Sequence, residues 1–275
     1  MASLLNQQEI TSHYLKSFNR LILLDYDGTL VPFADRPNRV FPDESVVEVL
    51  ATLGLNHRNR VVLISGRDRE YMEATFNSLP ITLVAEHGAF AKNPGEGWNC
   101  LYPPDTSTEW MPSAIKILKA LTFEFDGSYF EQKSLSLVWH YRGLVRRLSD
   151  QEKDQIIHAL WFLQDTSNFD ILDSQLSIEL RTKGIQKGLY LNQWNGHLPF
   201  DFVMAIGDSE TDEDLFNQLG SEAFCIRVGN SNTTAARLFV PGQQDVIPFL
   251  KSLAHKGNTS NSAPRQSLLS GSIQL

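Results

Sequence analysis

The chain has 275 residues, a formal net charge of −8, 42% hydrophobic residues and 20% charged residues. At that size it folds as one large domain or two small ones and buries roughly 70–75% of the surface of its unfolded form, so no covalent or metal staple is required. Cys100 and Cys225 stand far apart and outside any C-x-x-C pattern, which excludes a disulfide scaffold and a cysteine-ligated zinc site.

In chain order, Ile10, Tyr14 and Phe18 recur at helical spacing and predict a lead-in helix. Apolar runs follow at Leu21–Leu24, Val61–Ile64, Ile81–Ala85, Phe202–Ile206 and Ala223–Val228. Runs apolar on both faces suit strands buried inside a parallel sheet. Helical faces lie between them: Val46, Leu50 and Leu53 behind Pro42 and Asp43, then Tyr71, Met72, Thr75 and Phe76, and later Asp212–Leu219 closed by Gly220. This alternation predicts an α/β, doubly wound, Rossmann-like sheet. The middle of the chain differs. An amphipathic helix over Ser113–Phe125 leads into alternating stretches at Ser128–Tyr141 and Phe169–Leu180. Between these lies a helix over Asp150–Gln164 with a capping box of Ser149 and Glu152. Alternation gives one wet and one dry face, so residues 110–183 read as an α+β domain inserted between 1–109 and 184–256. Residues 257–275, rich in serine with no acidic residue, read as a disordered tail.

No aliphatic run exceeds five residues, far short of the ~20 that cross a membrane. The opening MASLLNQQEI has no basic stretch before an apolar one, as a secretory signal would. A cytoplasmic location is therefore expected, with neither nucleic acid nor membrane as partner, since the net charge repels both polyanions in bulk.

The chemistry concentrates where the apolar runs end. Asp25-Tyr26-Asp27-Gly28-Thr29 follows Leu24 directly. Two carboxylates two residues apart face the same crevice beyond the strand ends, where open α/β sheets bind ligands. One can attack phosphorus and the other can move the proton. Ser65 ends the second run, and Asp208 and Asp212 follow the fourth, where an acid pair suits a hard cation such as Mg²⁺. Lys187 opens a predicted helix running to Asn195. A cation in a first helical turn opposes the dipole unless it faces phosphate and acids.

These four elements, in this order, resemble the haloacid-dehalogenase-type phosphohydrolases. The segments RLILLDYDGTLVPF, VVLISGRDRE and LVAEHGAF, with Glu131-Gln132-Lys133, His140-Tyr141-Arg142 and Glu179-Leu180-Arg181, resemble the trehalose-6-phosphate phosphatase family over roughly residues 15–255. The resemblance implies a hydrolase core with residues 110–183 as its α/β cap. Asp25 is then the nucleophile and Asp27 the general acid/base. Mg²⁺ is held by Asp25, the Asp27 carbonyl and Asp208, with Asp212 in support. Ser65 and Lys187 grip the phosphate, and Arg67, Glu131, Lys133, Arg142 and Glu179 contact the substrate. The implied activity is Mg²⁺-dependent hydrolysis of trehalose 6-phosphate through an aspartyl phosphate, with a synthase domain or subunit as a partner. The alternatives are another sugar phosphate, such as sucrose phosphate, or a non-catalytic trehalose-6-phosphate-binding subunit. Two positions depart from the family pattern: Ser209 stands where a second Asp is usual, which bears on the metal's surroundings, and Thr182 replaces a common Pro.

Overall fold

A computed structural model describes residues 2–32, 41–164, 168–174 and 176–261. The five apolar runs all become strands of one sheet. In chain order the elements are β1 (Ser3–Leu4), α1 (Gln7–Lys16), β2 (Arg20–Asp25), α2 (Glu44–Gly54), β3 (Asn59–Ile64), α3 (Arg69–Phe76), β4 (Thr82–Ala85), β5 (Phe90–Lys92) and β6 (Asn99–Cys100). The middle segment contributes α4 (Met111–Glu124), β7 (Tyr129–Gln132), β8 (Ser136–His140), α5 (Asp150–Gln164), β9 (Phe169–Ser174) and β10 (Ser177–Thr182). The chain then returns through β11 (Phe202–Gly207), α6 (Glu213–Leu219), β12 (Phe224–Val228), β13 (Leu238–Val240) and α7 (Val246–Asn261).

The large sheet has the order β1-β13-β12-β11-β2-β3-β4-β5-β6. It is parallel from β1 to β4, and β5 and β6 pair antiparallel at one edge. From β2 the chain first builds outward through β3 and β4, then crosses back to β11 on the other side. The ends of β2 and β11 therefore form the topological switch point, the expected ligand crevice. Alternation along the central strand sorts its side chains: Ile22 and Leu24 pack with α1, α2, α3 and α7, whereas Leu21 and Leu23 pack with α6 and the segment around Tyr190. Both faces are covered, which is why the strand sequence shows no polar alternation.

Helix starts follow local chemistry. The Asp43 carboxylate accepts the Val46 N–H at 3.0 Å, and Asp68 accepts that of Tyr71 at 2.6 Å. Each caps a helix whose first turn has free N–H groups. Ser149 and Glu152 exchange the two bonds of a capping box before α5.

The small sheet is antiparallel, in the order β7-β8-β10-β9. Leu137, Trp139, Ile178 and Leu180 bury against α4 and α5. The intervening residues Glu131, Val138 and Glu179 lie side by side on the opposite face by register, and that face looks onto the end of the large sheet.

Three expectations change. The lead-in helix ends at Lys16, because Ser17 turns extended, and Phe18 is 64% exposed beneath the Arg58 guanidinium rather than on a helical face. The expected tail starts too early: α7 continues to Asn261, and Gly257 sits against the Tyr14 ring, where a Cβ would approach within 2.8 Å. Residues 262–275 lie outside the described residues. The segment from Lys187 is a 3-10 helix to Trp194, ended by Asn195 in the left-handed region.

Candidate active site

Asp25 is the last residue of β2 and is buried. The chain must then turn sharply. Gly28 adopts φ 83°, a conformation that disfavours a side chain, and its N–H donates to the Val31 carbonyl at 2.7 Å. The turn brings Thr29 back, so that its hydroxyl lies 3.1 Å from Asp25 Oδ2 and 3.3 Å from Asp208 Oδ1. The sequence reading gave Thr29 no role, although its place in the pentad was the available signal.

Lys187 reaches the same point from the opposite side. Its Nζ donates to Asp25 Oδ1 at 2.6 Å and to Asp212 Oδ1 at 2.7 Å, with the side chain 2% exposed. The other Asp212 oxygen accepts the backbone N–H groups of Asp208 and Ser209 and the Ser209 hydroxyl, all within 3.1 Å. Ser209 thus secures Asp212 through a capping box.

Burial pushes the Asp25 carboxyl well above its ordinary pKa; Asp212 and Asp208 add to this against the opposing Lys187. Burial and then Asp212 raise Asp208 as well. Burial alone would depress Lys187, but Asp212 and Asp25 outweigh it and hold the ammonium above its ordinary value. One ammonium beside three acids leaves a deficit of positive charge.

Ligand oxygens of Asp25, Asp208 and Asp212 lie within 4.8 Å of one another. The donor set is all oxygen and fits a hard divalent cation. Asp212 already accepts four protein donors, three of them on one oxygen, which leaves Asp25 and Asp208 with more room for such an ion.

Ser65 follows β3 and is buried, with its hydroxyl accepting the Arg67 N–H at 3.1 Å. Arg67 faces Asp27: Nε donates to Asp27 Oδ2 at 2.7 Å, and the terminal nitrogen pairs with the other oxygen. The guanidinium lies 4.4 Å from the Tyr71 ring centroid. A forked donor on a planar carboxylate fixes its orientation. The sequence placed Arg67 toward substrate, and spacing along the chain gave no sign of its partner across the crevice.

The second wall of the crevice is the open face of the small sheet. A cleft of about 540 Å³ is lined by Asp25, Asp27, Ser65, Arg67 and Lys187 on one side and by Glu131, Lys133, Arg142 and Glu179 on the other. Such a volume lies in the range of small-molecule sites. Lys133 donates to the Gly66 carbonyl at 2.9 Å, Glu131 meets His140 Nε2 at 3.1 Å, and Glu179 meets His87 Nε2 at 3.3 Å. Burial alone would raise Glu179, but His87, Lys133 and Arg181 outweigh it and keep the carboxylate ionised. Burial pulls His87 below its ordinary value, against the opposing Glu179 carboxylate. Every catalytic, metal or substrate residue expected from the resemblance lines this cleft or, for Asp208 and Asp212, belongs to the adjoining acid cluster. Glu86, His87 and Gly88, at the end of the third apolar run, were expected only as crevice lining; His87 lines the cleft, and its contact with Glu179, like that of Ser134 with Glu86, joins the two sheets, which the sequence did not show.

An acid cluster at the switch point of a doubly wound sheet, a lysine bound to it and a polar wall opposite make up the site expected from the resemblance to the haloacid-dehalogenase-type phosphohydrolases. The trehalose-phosphatase family profile matches residues 23–247, and the chain belongs to that family. It is 35% identical to a bifunctional trehalose-6-phosphate synthase/phosphatase of Thermoproteus tenax over 84% of its length and 31% of the relative's. It is 33% identical to alpha,alpha-trehalose-phosphate synthase [UDP-forming] B of Dictyostelium discoideum, over 90% and 32%. The chain thus spans about a third of these curated relatives. The solved C-terminal domain of a C. albicans trehalose-6-phosphate phosphatase superposes with a TM-score of 0.85 at 28% identity, covering 93% of this chain and 99% of that one.

Proposed function

We propose that the protein hydrolyses trehalose 6-phosphate to trehalose and phosphate, with Asp25 as nucleophile. The observation that carries this reading is the single cleft in which Asp25, Lys187 and the acid cluster face the polar wall of Glu131, Lys133, Arg142 and Glu179. The family supplies the substrate, and the polar wall suits a hydroxyl-rich leaving group, because buried hydrogen-bonding groups reject analogues that lack the partner.

Asp25 attacks the phosphorus, the bond to the sugar oxygen breaks, and Asp27 delivers a proton to that oxygen. Asp27 then takes a proton from water, which attacks the same phosphorus and returns Asp25 as a carboxylate. Arg67 holds the Asp27 carboxyl plane throughout. Lys187 and the Ser65 turn bind the phosphoryl oxygens, on which charge spreads in a loose transition state. Asp25 and Asp208 would hold Mg²⁺, whose bound charge offsets that of the phosphate and keeps the buried Asp25 ionised. The unit from residue 110 to 183 serves as the cap that excludes water. The synthase named in the bifunctional relative makes a synthase domain or subunit the natural partner. Two free cysteines, one exposed, suit a reducing cytoplasm, and no helix among the described residues is long and apolar enough to cross a membrane.

The test is phosphate release from trehalose 6-phosphate, sucrose 6-phosphate and an aryl phosphate, with and without Mg²⁺. Mg²⁺-dependent release strongly favouring trehalose 6-phosphate is expected. Preference for another sugar phosphate overturns the substrate, and binding without release makes the chain a sensor.

A further inference from the structure

The turn after β4 is unusual. Glu86, His87 and Gly88 have φ values of 49°, 56° and 98° in succession. Positive φ is uncommon outside glycine and costs on the order of 1–2 kcal/mol per residue, so the surroundings must hold this turn in place. They do so from three directions. The N–H groups of Glu86 and His87 donate to the carbonyls of Arg67 and Ser65 at 2.9 and 3.0 Å. A Cβ on Gly88 would lie 2.3 Å from the carbonyl of Gln186, the residue before Lys187. Glu86 accepts both the N–H and the hydroxyl of Ser134, at 2.9 and 3.0 Å, from the β7–β8 hairpin of the cap.

The His87 imidazole occupies the centre of this junction. It packs so closely on the phosphate-binding turn that a Cβ on Gly66 would stand 2.4 Å from Nε2. The same Nε2 lies 3.3 Å from Glu179 Oε2, on the sugar-facing strand β10. Both side chains are nearly nine-tenths buried, so this contact is shielded from water. Among the described residues His87 Nδ1 has no partner, which leaves Nε2–H as the donor to the Glu179 carboxylate. One ring thus touches the turn that binds phosphate and the acid that faces sugar.

We infer that His87 is a positioning residue, whose bond to Glu179 sets the sugar-facing carboxylate at a fixed offset from the Ser65–Arg67 turn and so ties substrate choice to phosphate placement. The inference rests on the disaccharide-phosphate reading and assigns His87 no contact with substrate. The bond matters for a substrate that spans core and cap, and less for one that occupies the phosphate site alone.

The test compares kcat/KM for trehalose 6-phosphate and a small aryl phosphate in the wild type, His87→Asn and His87→Gln. Asparagine tolerates left-handed backbone but does not extend to Glu179, so it separates the turn from the bond. Glutamine restores a donor near the position of Nε2. His87→Asn is expected to lower the preference for trehalose 6-phosphate over the aryl phosphate by on the order of 10- to 100-fold, the worth of one hydrogen bond to a charged group. His87→Gln should recover most of it. An unchanged preference in His87→Asn overturns the inference, leaving histidine as a turn former only. Equal loss on both substrates in both variants also overturns it, because that is the mark of a general structural defect. A wild type that hydrolyses the aryl phosphate but not trehalose 6-phosphate refutes the substrate reading itself, a different and separately visible failure.

Discussion

Replacing Lys187 with methionine probes the electrostatics on which the site depends. The ammonium holds Asp25 at 2.6 Å and Asp212 at 2.7 Å while 2% exposed. Asp208 shares the cluster, with ligand oxygens of all three acids within 4.8 Å. At an effective dielectric of about 20, two ionised carboxylates at that separation repel by about 3.5 kcal/mol. Methionine fills the volume but supplies no charge, so the acids take up protons instead, at ~1.4 kcal/mol per unit of pKa rise near neutral pH. The expected net loss is ~3–5 kcal/mol, that of breaking a buried ion pair, out of a total stability of ~5–15 kcal/mol. Urea denaturation at pH 7 without divalent metal measures it. The sign with pH follows from the direction of the shifts: carboxyls whose folded pKa is raised destabilise the fold when ionised. The deficit therefore narrows as pH falls from neutral into the raised carboxyl range. A deficit under ~0.5 kcal/mol, the ordinary range for substitutions away from any critical feature, or one that widens on acidification, refutes this account of the cluster.

Mg²⁺ at about a hundredfold its dissociation constant should stabilise the wild type by ~2.7 kcal/mol, seen as a rise in Tm that Asp208→Asn abolishes; no rise in the wild type contradicts the metal assignment. Arg146 and the Ser149 cap hold the Glu152 carboxyl down to about 2. Its folded pKa is depressed, so its contribution is full above the ordinary carboxylate range and is lost as pH falls through about 2. Glu152→Gln should lower Tm at pH 6 by an amount that closes on acidification, whereas a pH-independent difference would point to helix propensity. Thr182 donates its N–H and hydroxyl to the Leu135 carbonyl, both at 3.0 Å, and lies 3.3 Å from Trp110 Nε1. Thr182→Pro removes both donors and should cost ~1–3 kcal/mol in chemical denaturation, the range for leaving buried polar groups unpaired.

Much of this fold was legible because it is encoded locally. The runs at Leu21–Leu24 and Phe202–Ile206 are apolar on both faces because helices cover both, and no other environment fits them. Alternation in the small sheet was equally plain, since Trp139 and Val138 face opposite ways. The two- and three-residue strands β1, β5, β6 and β13 carry no period to read. The last turns of α7 fall within the expected tail because Ser, Thr and Asn there give no apolar period, whereas the packing of Gly257 on Tyr14 holds them in the helix. In the site, the strand-end acids were visible from position alone. The partners of Arg67 and His87 were not, because both are set by elements 40 and more than 90 residues away.

The central claim is that Asp25 is the nucleophile of a phosphatase, and the direct measurement is phosphate release from trehalose 6-phosphate with Mg²⁺ by the wild type and Asp25→Asn. Asparagine keeps the shape and an acceptor for Lys187 but cannot form the acyl phosphate. The account predicts turnover by the wild type and loss of at least ~10³-fold in a variant whose Tm shows that it remains folded, since the reaction without its nucleophile keeps only binding and electrostatic stabilisation. Turnover by folded Asp25→Asn within a few-fold of wild type would contradict it.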